Sequence, residues 1–369
     1  MPAGDHIKLN YILTPFSLLY GLAVRLRNVL FTWKILPVEE YPIPVISIGN
    51  LSVGGTGKTP HTEYLIRLLK DKYRVAVLSR GYKRTTSGYV LANTLSNSRT
   101  IGDEPYQMKR KFPDILIAVD SNRRRGISHL LELPEEKRPQ VILLDDAFQH
   151  RYVSPSLSIV LTDYKRLFYK DMLLPAGRLR EPRRGISRAD MIIVTKCENQ
   201  LKPIDLRIIE EEIKKQAHQL LYFTYIAYET IEPVYPAIAA PDIRSRINEG
   251  DGIILLAGIA APAPFIREVE KYSGNVTVLQ YPDHHTFDKH NFKSVTEAFK
   301  RIQTPDKLIL TTEKDASRLV DNPAVPDELK EHMYYMPITI RFSTGSAKSF
   351  DDFISTHITT FQQKFIYNT

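Results

Sequence analysis

The sequence predicts an α/β protein whose core is a mostly parallel β-sheet covered by helices. Short apolar runs rich in β-branched residues recur along the chain with helical or loop segments between them, a pattern typical of parallel sheets. Strand candidates of a first unit lie at residues 45–48, 75–78, 115–119, 141–144, 159–161 and 191–194, and those of a second, smaller unit at residues 253–256, 276–279, 308–311 and 336–340. The first strand leads into a glycine-rich loop, which indicates the type of core.

Residues 44–69 predict a strand, a phosphate-binding loop and a helix. The loop contains Gly54-Gly55-Thr56-Gly57-Lys58-Thr59. Glycines let backbone N–H groups turn toward phosphates, the lysine can reach the outer phosphates, and the threonine hydroxyl is placed to bind Mg²⁺ at the helix N-terminus. Ser52 stands where the usual G-x-x-x-x-G-K-[ST] spacing has its first glycine. We therefore predict a P-loop NTPase-like core with a variant loop that binds a nucleotide.

Length and charge narrow the protein class. A chain of 369 residues is long enough for two or three domains. Its single cysteine, Cys197, excludes an internal disulfide framework and a C-x-x-C site. With 50 basic and 42 acidic residues, the formal charge of +8 favours an anionic partner. Nucleic acid, a phosphorylated ligand and an acidic membrane surface all fit this charge.

The first 40 residues predict an amphipathic helix. Apolar side chains recur at steps of three and four, while small or polar ones fall on another face. The uncharged run between Lys8 and Arg25 is shorter than the ~20 residues of a spanning helix. Basic residues on the polar side and Trp33 near the end favour a helix that lies on a membrane surface. A helix packed on the protein's own core is the alternative; a signal peptide, with residues 21–23 as a faint cleavage site, is less favoured.

Polar residues that follow the predicted strands are the candidate site residues, because ligands bind at the carboxyl ends of parallel strands. Asp145 and Asp146 end one strand, as do the acidic residues that hold magnesium in P-loop proteins, although a solvated strand end is the alternative. Arg123 lies in a basic segment after the preceding strand. Arg180 belongs to a loop, residues 175–184, with four arginines around one carboxylate. Arginine forks of this kind can bind phosphoryl oxygens, or can simply be solvated.

Four further motifs or residues leave alternatives open. Residues 195–198, Thr-Lys-Cys-Glu, stand where some GTPases carry a guanine-reading motif, but glutamate replaces aspartate and the indication is weak. Asp103 precedes a short helical segment and is, from its position alone, more typical of an N-cap. Asp283-His284-His285 suggests a metal site, a structural histidine or a catalytic one. Asp315 has capping-box spacing from Thr312.

Taken together, these motifs resemble the tetraacyldisaccharide 4'-kinase family, membrane-associated kinases of lipid A biosynthesis. The matching stretches run in family order at residues 54–60, 79–82, 102–105, 144–150, 175–182, 283–285 and 312–316. One departure is Lys83, at a place that is often glycine. The resemblance covers the chain from the N-terminal helix to about residue 320.

The resemblance implies an activity and roles for individual residues. It implies ATP- and Mg²⁺-dependent phosphorylation of the 4'-hydroxyl of a tetraacyldisaccharide 1-phosphate. Asp103 would be the catalytic base, acting with His284. Asp145, Asp146 and Glu181 match family positions near the magnesium ion, to which the loop residue Thr59 is added, and Arg80 and Tyr82 match a substrate-side loop. From their positions in basic segments, Arg123 and Arg180 are further candidate substrate contacts.

The predicted organisation has four parts: a membrane-associated helix at 1–40, a P-loop kinase core at 41–221, an extended β-ribbon connector at 222–245 and a C-terminal α/β domain at 246–369. We expect the protein on the cytoplasmic face of the inner membrane of a Gram-negative-type bacterium, with a lipid substrate, no nucleic acid and no obligate protein partner. A P-loop nucleotide switch that phosphorylates no acceptor is the main alternative. A nucleic-acid-dependent ATPase, supported only by the basic charge, is a weaker one.

Overall fold

The computed structural model describes residues 9–240, 247–248, 250–304 and 306–366. Parts of the predicted N-terminal segment, connector and C-terminal domain, at residues 1–8, 241–246, 249, 305 and 367–369, lie outside the described residues. The helices are α1 (Thr14–Thr32), α2 (Lys58–Leu69), α3 (Ser98–Ile101), α4 (Asp103–Lys111), α5 (Arg123–Leu131), α6 (Pro203–Ile213), α7 (Ala263–Val269), α8 (Lys289–Arg301), α9 (Glu313–Leu319), α10 (Asp327–Lys330) and α11 (Ala347–Ile366). The strands are β1 (Val45–Asn50), β2 (Val75–Ser79), β3 (Val90–Leu91), β4 (Leu116–Val119), β5 (Val141–Asp145), β6 (Leu157–Asp163), β7 (Met191–Thr195), β8 (Leu220–Tyr228), β9 (Glu232–Pro233), β10 (Gly252–Ala257), β11 (Val276–Gln280), β12 (Lys307–Thr312), β13 (Met333–Met336) and β14 (Ile338–Phe342).

Within the described residues the strands form two sheets. The larger sheet has the order β14-β8-β7-β6-β1-β5-β2-β4-β3, and only its edge strands β3 and β14 are antiparallel to their neighbours. Its central strand β1 pairs in parallel with β5 on one side and β6 on the other. The loops after β1 and β5 therefore meet at one edge of the sheet. The predicted α/β fold with a mostly parallel sheet is confirmed.

One face of the large sheet is covered by α2 and α11. Buried side chains of α2, such as Leu65 and Ile66, share a core with Ile46 and Ile48 of β1. The helix α11 adds Phe350, Ile354 and Ile358 to the same core, at the four-residue spacing of one helix face. The helix that carries the P-loop lysine is thus fixed by apolar packing.

The smaller sheet has the order β11-β10-β12-β13-β9, again with one antiparallel edge strand. The run at 336–340, predicted as one strand, is two strands in different sheets, because the chain leaves β13 at Met336 and enters β14 at Ile338. Within the extended β-ribbon connector predicted at 222–245, residues 222–228 belong to β8, which pairs with the distant strand β14. The segment from Ile338 to Ile366 therefore packs on the large sheet rather than on the second unit.

The helix α1 binds the rest of the protein through its polar face. Ser17 donates to the Leu173 carbonyl at 3.0 Å and accepts from the Ala176 amide at 2.9 Å. Tyr20 donates to the Arg180 carbonyl at 2.8 Å. Most of its large apolar side chains point outward, although Phe31 is buried; the exposed ones in α1 and in the residues next to it include Ile12, Phe16, Leu18, Leu19, Leu22, Leu26, Trp33 and Ile35. Among the described residues, no helix is long and apolar enough to cross a membrane.

Candidate active site

The glycine-rich loop connects β1 to α2 at the centre of the large sheet. Gly54 and Gly57 have φ values of 113° and 87°, in the region that favours glycine. Asn50 donates to the Thr56 hydroxyl at 2.9 Å, and the Thr195 hydroxyl donates to the Thr56 carbonyl at 2.8 Å. The loop is therefore held by residues at the ends of β1 and β7, and its first helical residues are Lys58 and Thr59.

Two cationic or polar side chains brace the same loop from outside it. Lys196 donates to the Gly55 carbonyl and to Asp163, the latter at 2.8 Å. His61 contacts the Gly57 carbonyl through Nδ1 at 2.7 Å and Thr224 through Nε2 at 3.0 Å. Because a carbonyl can only accept, Nδ1 carries the proton. Burial lowers the pKa of His61 to about 4, so the ring is neutral at physiological pH.

Asp145 and Asp146 follow β5 beside the glycine-rich loop, but their environments differ. Asp145 is buried; Ser79 donates to its Oδ2 at 3.2 Å, and its Oδ1 has no hydrogen-bond partner among the described residues. Burial, Glu104 and Asp146 raise the pKa of Asp145 well above its ordinary value, against Lys58 and Arg123. A buried carboxylate oxygen without a partner is unfavourable unless a cation binds it.

Asp146 is paired with cations. Arg180 Nη1 donates to both carboxylate oxygens at 3.1 Å, and Lys58 Nζ lies 3.6 Å from Oδ1. Burial acts to raise the pKa of Asp146, but Lys58 and Arg180 outweigh it and hold the pKa below its ordinary value. The loop lysine, the acidic strand end and Arg180, which was predicted to contact substrate, thus form one charged cluster.

Asp103 is the first residue of α4, and its side-chain partners belong to the unit built around the smaller sheet. Its Oδ2 accepts from His284 Nδ1 at 3.0 Å and from Arg318 at 2.9 Å (Nε) and 2.7 Å (Nη2). Gly102 precedes it with a φ of 94°, where an added Cβ would lie 3.0 Å from the Tyr82 carbonyl. Only glycine allows this close approach. The predicted Asp103–His284 pair is therefore formed between two units of the fold.

The partners of His284 indicate its tautomer. Its Nε2 lies 3.2 Å from Lys314 Nζ, which has only protons to donate. Nδ1 lies near both the Asp103 carboxylate, at 3.0 Å, and Arg318 Nη2, at 3.1 Å. Because the ionised carboxylate can only accept, the ring proton is assigned to Nδ1 and the acceptor role to Nε2. Burial acts to raise the pKa of Asp103, but the hydrogen bonds from His284 and Arg318 lower it to about 2.

A cleft of about 630 Å³ opens onto this pair, lined by residues that include Lys83, Tyr106 and Asp103. At its edge the exposed ring of Tyr82 lies 6.0 Å from the His284 ring. The predicted residues Arg80 and Tyr82 are thus in the loop beside the pair, and both are exposed. A substrate in this cleft would meet the Asp103 carboxylate.

Known proteins resemble this chain over nearly its whole length. Residues 9–359 match the LpxK family, tetraacyldisaccharide-1-P 4'-kinase. The chain belongs to this family. Two relatives are the tetraacyldisaccharide 4'-kinases of Parabacteroides distasonis, 58% identical over 96% of this chain and 97% of that one, and of Bacteroides thetaiotaomicron, 50% identical over 94% and 93%. A crystal structure of LpxK from Aquifex aeolicus in complex with ATP has a TM-score of 0.71 and 28% identity, covering 95% of this chain and 99% of that one.

Family membership confirms the resemblance, the kinase class and the predicted reaction, 4'-phosphorylation of a tetraacyldisaccharide 1-phosphate in lipid A biosynthesis. The structure brings together some of the predicted site residues of this kinase and leaves others apart. The glycine-rich loop, Asp145, Asp146 and Arg180 form one cluster. Asp103 and His284 form the other, with Tyr82 beside them.

Arg123 is placed differently from the prediction. Its side chain is only 2% exposed and donates to the carbonyls of Asp120 at 2.7 Å and Asp145 at 3.1 Å. Burial lowers its pKa to about 10. A guanidinium enclosed in this way supports the end of β5 and is not presented to a substrate.

Glu181, which was predicted to lie near the magnesium ion, is bonded to protein side chains instead. Arg188 donates to its Oε2 at 2.5 Å, and Asn28 of α1 lies 3.4 Å from the same oxygen. Within the described parts of the chain, no group of three or more acidic, histidine or cysteine side chains is arranged to hold a metal ion. The predicted magnesium set of Thr59, Asp145, Asp146 and Glu181 is therefore not assembled as one cluster, and the metal reading of the Asp-His-His motif has no support.

Sequence reasoning missed Arg318 and gave Lys314 no role. Arg318 binds Asp103 and also donates to Asp315 at 2.8 Å; Asp315 in turn accepts from the Gly258 amide and the Thr312 hydroxyl. The signal was available in the helix spacing, because residues three and four apart share a face. Arg318 lies three residues after Asp315 and four after Lys314, just beyond the family motif.

Proposed function

We propose that this kinase transfers the γ-phosphoryl group of ATP with Asp103 as the base for the 4'-hydroxyl. The supporting observation is the hydrogen-bonded Asp103–His284–Arg318 network, which lies at the edge of a cleft and joins the two units. The residue before the base, Gly102, packs against Gly81, since a Cβ added to Gly102 would lie 3.3 Å from Gly81 Cα. Gly81 follows β2, whose last residue Ser79 donates to Asp145. This contact supports a base near the phosphate-binding end, where in-line transfer from a nucleotide to a hydroxyl requires it.

A low pKa suits this base. Asp103 stays ionised at physiological pH, so it can always accept a hydrogen bond from the acceptor hydroxyl and orient it. A loose phosphoryl-transfer transition state asks mainly for positioning and for stabilisation of charge. His284 and Arg318 hold the Asp103 carboxylate in place, and Tyr82 and Arg80 border the sugar. Lys58 and the loop amides hold the outer phosphates, and Arg180 lies beside them.

The residues beside the glycine-rich loop fit a magnesium ion. The unpartnered Oδ1 of Asp145 is a hard oxygen ligand, and the Thr59 hydroxyl is at the first turn of α2. Held by these residues, Mg²⁺ would supply positive charge that neutralises the transferring phosphoryl group. Asp146 remains paired to Lys58 and Arg180, which leaves Asp145 as the direct ligand in this proposal.

The outward apolar face of α1 supports membrane docking, the interfacial alternative of the sequence analysis. Large apolar side chains such as Leu19 at 68% and Trp33 at 71% exposure are unfavourable in water unless a partner covers them. Arg25 and Lys34 are exposed on the same helix and its end, which suits anionic lipids. We propose that α1 lies on the cytoplasmic face of the inner membrane, where an acylated substrate is found.

The direct test is transfer of labelled γ-phosphate from ATP to purified tetraacyldisaccharide 1-phosphate in detergent. Wild-type protein should label the lipid, and Asp103→Ala and Lys58→Ala should each lose at least about a hundredfold in rate. Nucleotide hydrolysis without lipid labelling by the wild type would favour the nucleotide-switch alternative.

Membrane docking is tested separately with vesicles of phosphatidylethanolamine and phosphatidylglycerol. Replacing Leu19 and Leu22 together by serine should weaken vesicle binding at least about tenfold. The matched control is Ile238→Ser, an exposed apolar residue outside α1. Equal binding by all three proteins would contradict the proposal.

A further inference from the structure

A buried charge cluster lies at the end of α4 opposite to Asp103. Lys111, the last residue of the helix, places Nζ 2.7 Å from Glu63 Oε2 and 2.6 Å from Glu313 Oε1. Glu63 is 1% exposed and Glu313 is 9% exposed. Gln107, one turn earlier on α4, donates to the other Glu63 oxygen at 2.9 Å. One lysine thus holds two carboxylates that come from different parts of the fold.

Each member of this cluster belongs to a helix that carries part of the candidate active site. Glu63 is on α2, which begins with Lys58 and Thr59. Lys111 is on α4, which begins with Asp103. Glu313 is the first residue of α9, and that helix also carries Arg318. The cluster therefore joins the phosphate-binding helix, the helix of the base and the helix that holds the base in place.

The contact between α4 and α9 has polar links along its length. Arg318 binds Asp103 at the start of α4, Tyr106 in the middle of α4 donates to Asp321, two residues beyond α9, and Lys111 binds Glu313 at the end of α4. The nine residues of α4 span about 12 Å. A rotation of α9 about one link would break the others, so the three links together define the orientation of α9.

The covalent connections leave this orientation to such contacts. In the described residues the chain passes between the two sheets after β8 and again at Pro337, and these crossings are bonded to each other through the Glu229 amide and the Pro337 carbonyl at 2.9 Å. Two adjacent crossings act as one attachment point. The pose of the smaller sheet must therefore be fixed at its interface with α4.

Stability alone is a poor explanation for this cluster. Burial and the neighbouring Glu313 raise the pKa of Glu63 well above its ordinary value, against the effects of Lys111 and Arg67. Replacing buried ion pairs by apolar packing is often neutral or stabilising. An apolar contact, however, permits sliding, whereas a lysine shared by two carboxylates has one position.

We propose that Lys111 is a positioning residue for phosphoryl transfer. By binding Glu63 and Glu313 together, it holds α9 in the pose in which Arg318 and His284 reach Asp103. This inference rests on the role proposed above for Asp103. Lys111 touches neither nucleotide nor acceptor, and it acts on the rate through α9.

The test compares Lys111→Met, Lys111→Arg and Glu313→Gln in steady-state kinetics with ATP and the tetraacyldisaccharide 1-phosphate. Lys111→Met and Glu313→Gln should lower kcat about tenfold to a hundredfold through misplacement of the base, with the KM for ATP changed less than about twofold. Lys111→Arg keeps both ion pairs and should recover kcat to within about threefold of wild type. Lys109→Met is the matched control and should behave as wild type, because Lys109 is a partly exposed lysine on the same helix whose Nζ donates to the Pro113 carbonyl.

Two outcomes would show that Lys111 does not position the base. If Lys111→Met is folded, with a cooperative thermal transition, and retains wild-type kcat, the inference is overturned. It is also overturned if Lys111→Arg fails to recover kcat. The Asp103→Asn variant in the same assay separates the two claims. Full activity of Asp103→Asn would contradict the proposed role of Asp103 as the base. Loss of activity in Asp103→Asn, together with full activity of Lys111→Met, would contradict only the role of Lys111.

Discussion

The two ends of the candidate active site are built in different ways. The phosphate-binding end comes from one sheet, through a continuous segment, Gly54 to Thr59, and the neighbouring strand end at Asp145. The base end joins Asp103 of the large-sheet unit to His284 and Arg318 of the smaller unit. The first end is complete within one rigid core, and the second exists only while the two units stay docked.

Because of this difference, we expect nucleotide binding and phosphoryl transfer to respond differently to substitutions at the two ends. Residues at the phosphate end should affect both nucleotide affinity and rate. Residues at the base end should affect rate alone, because nucleotide binding does not need the docked pose. Three substitutions test this separation.

The largest effect should come from Lys58→Met. This change removes the cation beside Asp146 and the outer phosphates, so both nucleotide affinity and kcat should fall, the latter about a hundredfold or more. Equilibrium binding of a fluorescent ATP analogue and labelled-phosphate transfer measure the two quantities. Retained affinity with lost transfer would place Lys58 functionally with the base end.

An intermediate effect should come from Arg318→Met. Loss of a charge-assisted hydrogen bond, worth about 1.5–3 kcal/mol, lowers kcat about tenfold to a hundredfold. Because Arg318 helps to lower the pKa of Asp103 to about 2, that pKa should rise toward its ordinary value. The acid limb of the kcat–pH profile should therefore move to higher pH. An unchanged limb, or a weakened ATP affinity, would contradict the separation.

The smallest effect should come from His61→Gln, behind the glycine-rich loop. Gln can replace only one of the two contacts that His61 makes to Gly57 and Thr224. A lost neutral hydrogen bond of about 0.5–1.5 kcal/mol should weaken ATP binding about twofold to tenfold, with little change in kcat. Since the pKa of His61 is lowered to about 4, wild-type affinity should not change through this residue between pH 6 and pH 8. A change in kcat without a change in ATP affinity would contradict the assignment of His61 to the phosphate-binding end.

The contrast between the two ends also explains what the sequence could predict. The phosphate-binding loop and Asp145 follow strand candidates directly, so local pattern was enough to find them. Helix spacing places Arg318 on the same face as Lys314 and Asp315, but its partner Asp103 lies 215 residues away in the chain, and no local pattern predicts that contact. The pairing of β8 with β14 escaped prediction for the same reason.

Burial was the other source of error. Arginine is almost always at least partly exposed, and Arg123 after a predicted strand therefore suggested a substrate contact. In the structure its guanidinium is enclosed by backbone carbonyls. In α1 the opposite happened: the apolar face is exposed and the polar face is docked. The periodicity showed two faces but could not show which of them meets the protein.

The most direct test of two separate ends in the active site is to compare ATP binding and phosphoryl transfer in the Asp103→Asn variant. Equilibrium ATP affinity and the single-turnover rate of lipid phosphorylation would be determined on the same preparation. We predict a dissociation constant for ATP within about twofold of wild type and a single-turnover rate lower by about a thousandfold. An unchanged rate, or a parallel loss of ATP affinity, would contradict an active site whose base end is separate from its phosphate-binding end.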